Sequence, residues 1–189
     1  MIYNESGDRG EAIDELRRAL TLQPKYDDAN ALLGEILAEE GRLDEGVQEL
    51  QKAIDIRPNF WGHLRALGMI YYHAGRMHEA AEAFERITEL QPDLPNGFQM
   101  LGAAYHALGE LDRAVPNYRK SIERGYGWAA HSNLGLIYYG QGKFEDAAEQ
   151  YERSLELNPN RHVTHRNVGD VYQKLNRDED ARESYKKAA

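Results

Sequence analysis

Histidine residues have the spacing that comes closest to metal chemistry in this sequence. His162 and His165 are three residues apart, which places both side chains on one face of a helix. His131 precedes His165 by 34 residues, an interval that recurs along the chain, so these two could also lie side by side. Imidazole rings in such positions bind zinc and similar ions when further ligands complete the site. Because the pattern offers no clear third ligand, we interpret these residues as surface histidines and predict no metal site.

Other catalytic patterns are missing from the sequence. It has no cysteine, which removes thiol nucleophiles and cysteine metal ligands. Neither a phosphate-binding glycine loop nor a nucleophile elbow occurs. The 32 acidic residues follow polar helix faces, so neighbouring carboxylates identify no acid–base pair. We predict that the chain is not an enzyme and uses no cofactor.

Composition restricts the class of partner. The net charge of −9, with 29% charged residues, favours a soluble acidic protein and argues against nucleic-acid binding. No apolar run approaches the length of a membrane span, and no signal peptide opens the sequence. We therefore predict a cytoplasmic protein without membrane insertion. The absence of cysteine would suit the periplasm equally, so that compartment stays open.

A repeating pattern organises the whole chain. Turn-type residues recur at intervals of 34, 34, 34, 33 and 34 residues, at Gly7, Gly41, Gly75, Gly109, Gly142 and Asn176. A second glycine column contains Gly34, Gly68, Gly102, Gly135 and Gly169. A large residue follows each of these by three positions, at Leu37, Tyr71, Tyr105, Tyr138 and Tyr172. Beyond each turn stands a small residue and, four positions later, a large one, as in Ala80 with Phe84 and Ala114 with Tyr118.

These columns resemble the tetratricopeptide repeat, a 34-residue unit of two antiparallel helices. The resemblance covers essentially the whole chain and implies an all-α solenoid, a right-handed superhelix of antiparallel helix pairs. It divides the single array into a truncated repeat at 1–26, full repeats at 27–60, 61–94, 95–127 and 128–161, and a C-terminal repeat at 162–189. A bacterial multi-repeat protein, or an excised piece of a longer one, fits this organisation. Eleven full helices, preceded by a remnant at Ile2 to Ser6 that carries Tyr3, are expected.

Simple packing rules agree with this interpretation. Small residues at one-turn spacing from large ones let one helix interlock with its neighbour. Glycine in the turn permits positive φ, and Pro24, Pro58, Pro92 and Pro159 should end the second helices. Asp44 and Asp112 stand where they could cap second helices. The fourth repeat is one residue short and has Gly125 and Gly127 where the proline should be, which we interpret as a glycine-capped helix end.

In the tetratricopeptide repeat family, peptides bind a concave groove lined by the first helix of each pair. Carried over to this sequence, the resemblance implies a peptide-binding groove containing Arg65, Met69, Tyr72, His73, Gln99, His106, Asn133, Tyr139, Arg166 and Asn167. The basic and asparagine pairs of the family's carboxylate clamp are absent. Asn133 and Asn167 are similar to two rungs of the asparagine ladder in O-linked N-acetylglucosamine transferases, although an amide could equally be solvated. Asp28, Glu35 and Glu39 make the N-terminal part of the groove acidic, which would suit an extended segment with a basic residue and one or two apolar anchors.

Three functions follow from this pattern. A scaffold that binds a protein or peptide partner is favoured. The alternatives are a regulatory or substrate-docking segment of a larger enzyme, such as a kinase, cyclase or glycosyltransferase, and a self-assembling array. Self-association would use uncapped ends, where Ile13, Leu16 and Leu20, or Tyr172 and Tyr185, would lack cover.

Overall fold

The computed structural model describes the backbone of residues 5–189 and the side chains from residue 9 onward. This part of the chain forms eleven α-helices and contains no strand, which confirms the predicted all-α solenoid class. The helices are α1 (Glu5–Leu22), α2 (Asp27–Glu39), α3 (Leu43–Ile56), α4 (Trp61–His73), α5 (Met77–Leu90), α6 (Pro95–Ala107), α7 (Leu111–Glu123), α8 (Gly127–Gly140), α9 (Phe144–Leu157), α10 (His162–Lys174) and α11 (Asp178–Ala188). Among residues 5–189, no helix has the length and apolar character needed to cross a membrane.

Two compact units divide the helices. The first ends at Gln91 and contains α1 to α5, and the second, Pro92–Ala189, contains α6 to α11. From residue 27 onward, each predicted repeat contains one pair, whose first helices are α2, α4, α6, α8 and α10. The second helices are α3, α5, α7, α9 and α11.

The same turn closes every first helix. Gly41 has a φ of 80°, and the next residue, Arg42, donates its backbone N–H to the carbonyl of Leu37 at 2.9 Å. This six-residue hydrogen bond and the left-handed residue before it define a Schellman motif, which glycine adopts without steric cost. Equivalent bonds follow Gly75, Gly109, Gly142 and Asn176.

The predicted turn at Gly7 was wrong. α1 begins at Glu5 and continues through this residue to Leu22. Glycine is compatible with helical as well as left-handed backbone, so the residue type alone did not decide the conformation. Ile2 and Tyr3 of the expected remnant lie outside the described residues.

The exceptional end of the fourth repeat is a glycine cap, as predicted. α7 continues through Pro116 and ends at Glu123, and Gly125 has a φ of 93°. Tyr126 donates its N–H to the carbonyl of Ser121 at 3.1 Å, so this second helix ends in the Schellman motif that elsewhere ends first helices. The second helices α3, α5 and α9 end two residues before a proline, also as predicted.

The expected capping by Asp44 and Asp112 was wrong. The residues at the N-caps of α3 and α7 are Arg42 and Glu110, and neither helix has a side-chain cap hydrogen bond. The two aspartates lie in the first helical turn instead. There a carboxylate interacts favourably with the positive end of the helix dipole.

Glycine and a large side chain interlock in every full pair. A Cβ atom added to Gly68 would lie 2.4 Å from the ring of Phe84, and one added to Gly135 would lie 2.8 Å from the ring of Tyr151. Such distances are too short for any substituent, so the absent side chain is what lets the two helices approach. The predicted column of small and large residues therefore forms the core.

Apolar side chains near both ends of the chain are better covered than expected. Ile13 is buried in a cluster with Leu33 and Leu37, against which Leu16 and Leu20 also pack. Tyr172 and Tyr185 are half-buried and donate their hydroxyl groups to Glu152 and Asp170. These side chains are therefore partly covered within the chain, and self-association through the ends stays a prediction.

Candidate binding groove on the first helices

In the first unit, α2 and α4 enclose a groove between them. It consists of two joined clefts, of about 500 Å³ and about 340 Å³. We call these joined clefts the α2/α4 groove. The α2 side is lined by Asp28, Ala31, Leu32, Glu35, Ala38 and Glu39, and the α4 side includes Gly62, Arg65, Ala66, Met69, Ile70 and His73. Volumes of roughly 300–1,000 Å³ are typical of ligand-binding clefts.

The helical period explains this lining. Glu35, Ala38 and Glu39 are at positions i, i+3 and i+4, so α2 presents them along one face. Arg65 and Met69 are likewise one turn apart on α4. The structure thus brings Arg65, Met69 and His73 of the predicted site into one groove.

Glu35 and Arg65 are the groove's unpaired charges. Both line both clefts. Glu35 is half-buried and Arg65 is exposed, and neither has a hydrogen-bond or ion-pair partner among the described residues. A half-buried carboxylate without a partner loses part of its hydration and gains no compensating contact. The groove therefore offers a free acceptor on one wall and a free donor on the other.

The remaining carboxylates of the groove are partly neutralised. One oxygen of Glu39 lies 3.2 Å from the guanidinium of Arg9, and Asp28 accepts a hydrogen bond from Arg57 at 3.2 Å. Both carboxylates are exposed, so these ion pairs are weak and can exchange with those of a ligand.

Tyr72 stands apart from the other predicted residues of this unit. Its side chain is half-buried and is not part of the groove lining. The centres of its ring and that of His73 are 6.1 Å apart, with the planes nearly perpendicular. Tyr72 therefore contacts His73, which lines the α2/α4 groove, but does not line the groove itself.

A buried ionic network that sequence reasoning missed lies at one end of the groove. His63, which is only 3% exposed, hydrogen-bonds through Nε2 to Asp27 Oδ2 at 2.9 Å. Arg57 Nε approaches the same oxygen at 2.7 Å, and the guanidinium stacks on the ring of Phe60 at 4.0 Å. The hydrogen bond from His63, helped by the charge of Arg57, lowers the pKa of Asp27.

The sequence did contain a signal for this network. His63 occupies a column that elsewhere holds the smaller residues Ala29, Gly97, Ala130 and Thr164. Asp27, Asp28 and His63 bring ligand atoms within 4.8 Å of one another, the spacing of a metal site. However, Arg57 already pairs with both carboxylates, so the cluster is accounted for as an ion-pair network.

In the second unit, the six predicted site residues lie on α6, α8 and α10 and are all at least partly exposed. They are Gln99, His106, Asn133, Tyr139, Arg166 and Asn167. The ring of His106 packs perpendicular to Tyr118, and burial lowers the pKa of this histidine, which favours the neutral form. Tyr139 packs edge-on against Phe144 at 5.5 Å.

The two asparagines of the second unit differ in their contacts. The side chain of Asn167 interacts with the hydroxyl of Tyr151, and burial raises the pKa of that hydroxyl. Asn133 has no side-chain partner among the described residues, and the exposed Leu136 follows it by three positions on α8. Only Asn133 of this pair has a fully free amide.

Two of the three histidines considered for metal binding, His131 and His165, have separate partners. His165 Nε2 lies 2.7 Å from the carbonyl of Pro159, and His131 Nδ1 lies 2.9 Å from the amide oxygen of Gln150. Hydrogen bonds of this kind fix the orientation of each ring independently.

Family models of a two-helix repeat match this sequence along most of its length. Models described as tetratricopeptide repeat match residues 3–70, 64–94, 96–124 with 167–189, and 128–161. No curated protein matches the chain significantly.

Solved structures share the fold. MamA is 24% identical with a TM-score of 0.73, covering 82% of this chain and 92% of its own. BtubC from P. vanneervenii is 18% identical with a TM-score of 0.79, covering 96% and 87%. YrrB, described as a TPR protein with an unusual peptide-binding site, is 20% identical with a TM-score of 0.67, covering 92% and 90%. With its repeated helix pairs and these matches along its length, the chain belongs to the tetratricopeptide repeat family.

Proposed function

We propose that this protein is an interaction scaffold whose first helices bind an extended segment of a partner protein. The observation that carries the proposal is the α2/α4 groove, which combines a mainly apolar lining with a free carboxylate on α2 and a free guanidinium on α4. Grooves of this composition are typical of protein and peptide recognition, since the apolar floor supplies affinity and the polar groups fix orientation.

The first helices of the second unit offer contacts of their own to a partner. Asn133 offers a free amide that can bind peptide backbone groups as donor and acceptor. Leu136 and Val163 expose apolar side chains, 48% and 54% accessible, and Arg166 on α10 is exposed. The site residues of both units thus present the mixture of apolar area and hydrogen-bonding groups found at peptide-binding surfaces.

The membership of the family and the YrrB likeness support the same function. YrrB is described as having a peptide-binding site, and its chain is matched over 90% of its length. We extend the peptide-binding role to this chain as part of the proposal, with the first helices as the surface.

Selection from a phage-displayed library of random peptides tests this function. The selected peptides are synthesised with a fluorescent label, and their affinity is measured by fluorescence anisotropy. Arg65→Ala and Met69→Ala should weaken binding, whereas Arg86→Ala should not, because Arg86 is exposed on the second helix α5 and has no partner among the described residues. Peptides that bind equally well to all three variants would contradict a site in the α2/α4 groove.

A further inference from the structure

We propose that the α2/α4 groove selects a partner segment in which a bulky apolar side chain stands close to a lysine or arginine. The inference rests on the proposed function and adds the chemistry of the ligand. It is carried by three features of the first unit: the unpaired Glu35, the excess of carboxylates around it, and the apolar floor beside it.

The first feature is the state of Glu35. Its carboxylate is half-buried, has no partner among the described residues, and lies where the two clefts join. Pairing with a cation from a ligand would replace the lost hydration with a charge-assisted hydrogen bond, which is about twice as strong as a neutral one. A ligand with a basic side chain can therefore form this hydrogen bond to Glu35, whereas an apolar or acidic ligand cannot.

The second feature is the balance of charge around the groove. Asp28, Glu35 and Glu39 line it on the α2 side, whereas Arg65 is the cation that lines it from α4. Arg57 and Arg9 pair with Asp28 and Glu39 but leave Glu35 unopposed. An acidic segment would meet like charge along α2, and such juxtaposition costs binding free energy. Arg65 instead suits a backbone carbonyl of the ligand, since a guanidinium donates several hydrogen bonds.

The third feature is the floor of the larger cleft. Its apolar lining includes Ala38, Leu43, Ala66, Ile70 and the half-buried Met69. Methionine has three rotatable bonds and a polarizable sulfur, so it adapts to ligand side chains of different shape. The alanine side chains are small, so they leave space in the cleft for a large side chain of the ligand. The cleft of about 500 Å³ therefore fits an aliphatic or aromatic anchor, with its basic neighbour directed to Glu35.

The test uses the peptides selected on the unmodified chain, and the variants Glu35→Gln and Glu89→Gln. Both changes remove one negative charge and keep the side-chain shape. Glu89 is exposed on the second helix α5 and has no partner among the described residues, which makes it a matched control. Circular dichroism melting curves of both variants test whether the fold is retained.

We expect selected peptides to carry lysine or arginine within a few residues of a leucine, methionine or aromatic residue. Glu35→Gln should weaken their binding about tenfold, with Glu89→Gln within about twofold of the unmodified chain. Raising the salt concentration from about 50 to about 500 mM should reduce the difference, because a half-buried ion pair is partly screened.

Two other outcomes are distinguishable. Peptides that depend on Arg65 and Met69 but lack basic residues, or that bind Glu35→Gln as tightly as Glu89→Gln, would overturn this inference and leave the proposed function intact. Peptides insensitive to Arg65→Ala and Met69→Ala, or no selected peptides at all, would overturn both.

Discussion

The ring of Tyr118 in α7 lies against the backbone of Gly102 in α6, so closely that a Cβ atom on the glycine would be 2.9 Å from the ring. Tyr118 is itself buried. This contact sets the distance between α6 and α7. A larger residue at position 102 would therefore push the two helices apart.

We therefore expect Gly102→Leu to destabilise the second unit by about 1–3 kcal/mol or more through overpacking. Thermal or denaturant unfolding measures the change. Glu149→Gln, on the exposed face of α9, is the control and should shift the transition little. Glu49 would be a poor control, because its side chain is only 18% exposed and pairs with Lys52. Equal shifts for Gly102→Leu and Glu149→Gln would refute the assignment of the glycine column.

A second prediction compares two glycines of the first unit that have open space around them. Gly75 has a φ of 76°, whereas Gly10 lies inside α1, and an added Cβ would meet no atom within 4 Å at either position. Gly75→Ala should cost about 1–2 kcal/mol because a side chain strains the left-handed backbone. Gly10→Ala should stabilise by about 0.5–1 kcal/mol because alanine is favoured in a helix. Stabilisation by Gly75→Ala in chemical denaturation would contradict backbone strain at this position.

The fold was predictable because its determinants repeat. In each repeat a glycine of the first helix packs against a large residue of the second helix, as Gly135 does against Tyr151. Agreement between the copies therefore identifies the helix pairs without a structure. Gly7 shows the limit, since a single glycine permits both a turn and a helix.

The site was predictable only as a set of positions. The family resemblance placed Arg65 and Met69 at groove positions, but it could not show that Glu35 lacks a partner or that Asn167 interacts with Tyr151. Those properties depend on side chains from other helices, which the period of one column does not encode. His63 and Asp27 are 36 residues apart and meet only because two successive repeats stack.

A third prediction concerns the pH dependence of this pair. The pKa of Asp27 is lowered by the hydrogen bond from His63 and by Arg57, so its ionised form is preferred in the folded state. The resulting stability is complete above the unfolded-state pKa of about 3.9 and is lost as the pH falls through the lower folded-state value. Asp27→Asn should thus destabilise by about 1–3 kcal/mol near pH 7, and the difference from the unmodified chain should shrink below about pH 4.

Asp28→Asn is the matched control for that experiment, because the Asp28 side chain is 60% exposed although it also contacts Arg57. Denaturant unfolding at a series of pH values measures both variants. If the Asp27→Asn deficit were as large at pH 3 as at pH 7, the ionised carboxylate would not be its source.

The last prediction concerns the aromatic residues on the first helices. Tyr72 beside the α2/α4 groove and Tyr139 on α8 are half-buried, so each could offer a partner apolar area with a hydroxyl group at the edge. Tyr72→Ala and Tyr139→Ala should each weaken a selected peptide by about 1–2 kcal/mol, as at interface hot spots. Tyr139 also packs on Phe144, so its variant should lose stability as well, and affinity is measured at a temperature where melting curves show it folded. Full affinity in both variants would place the peptide elsewhere on the first helices or on the second helices.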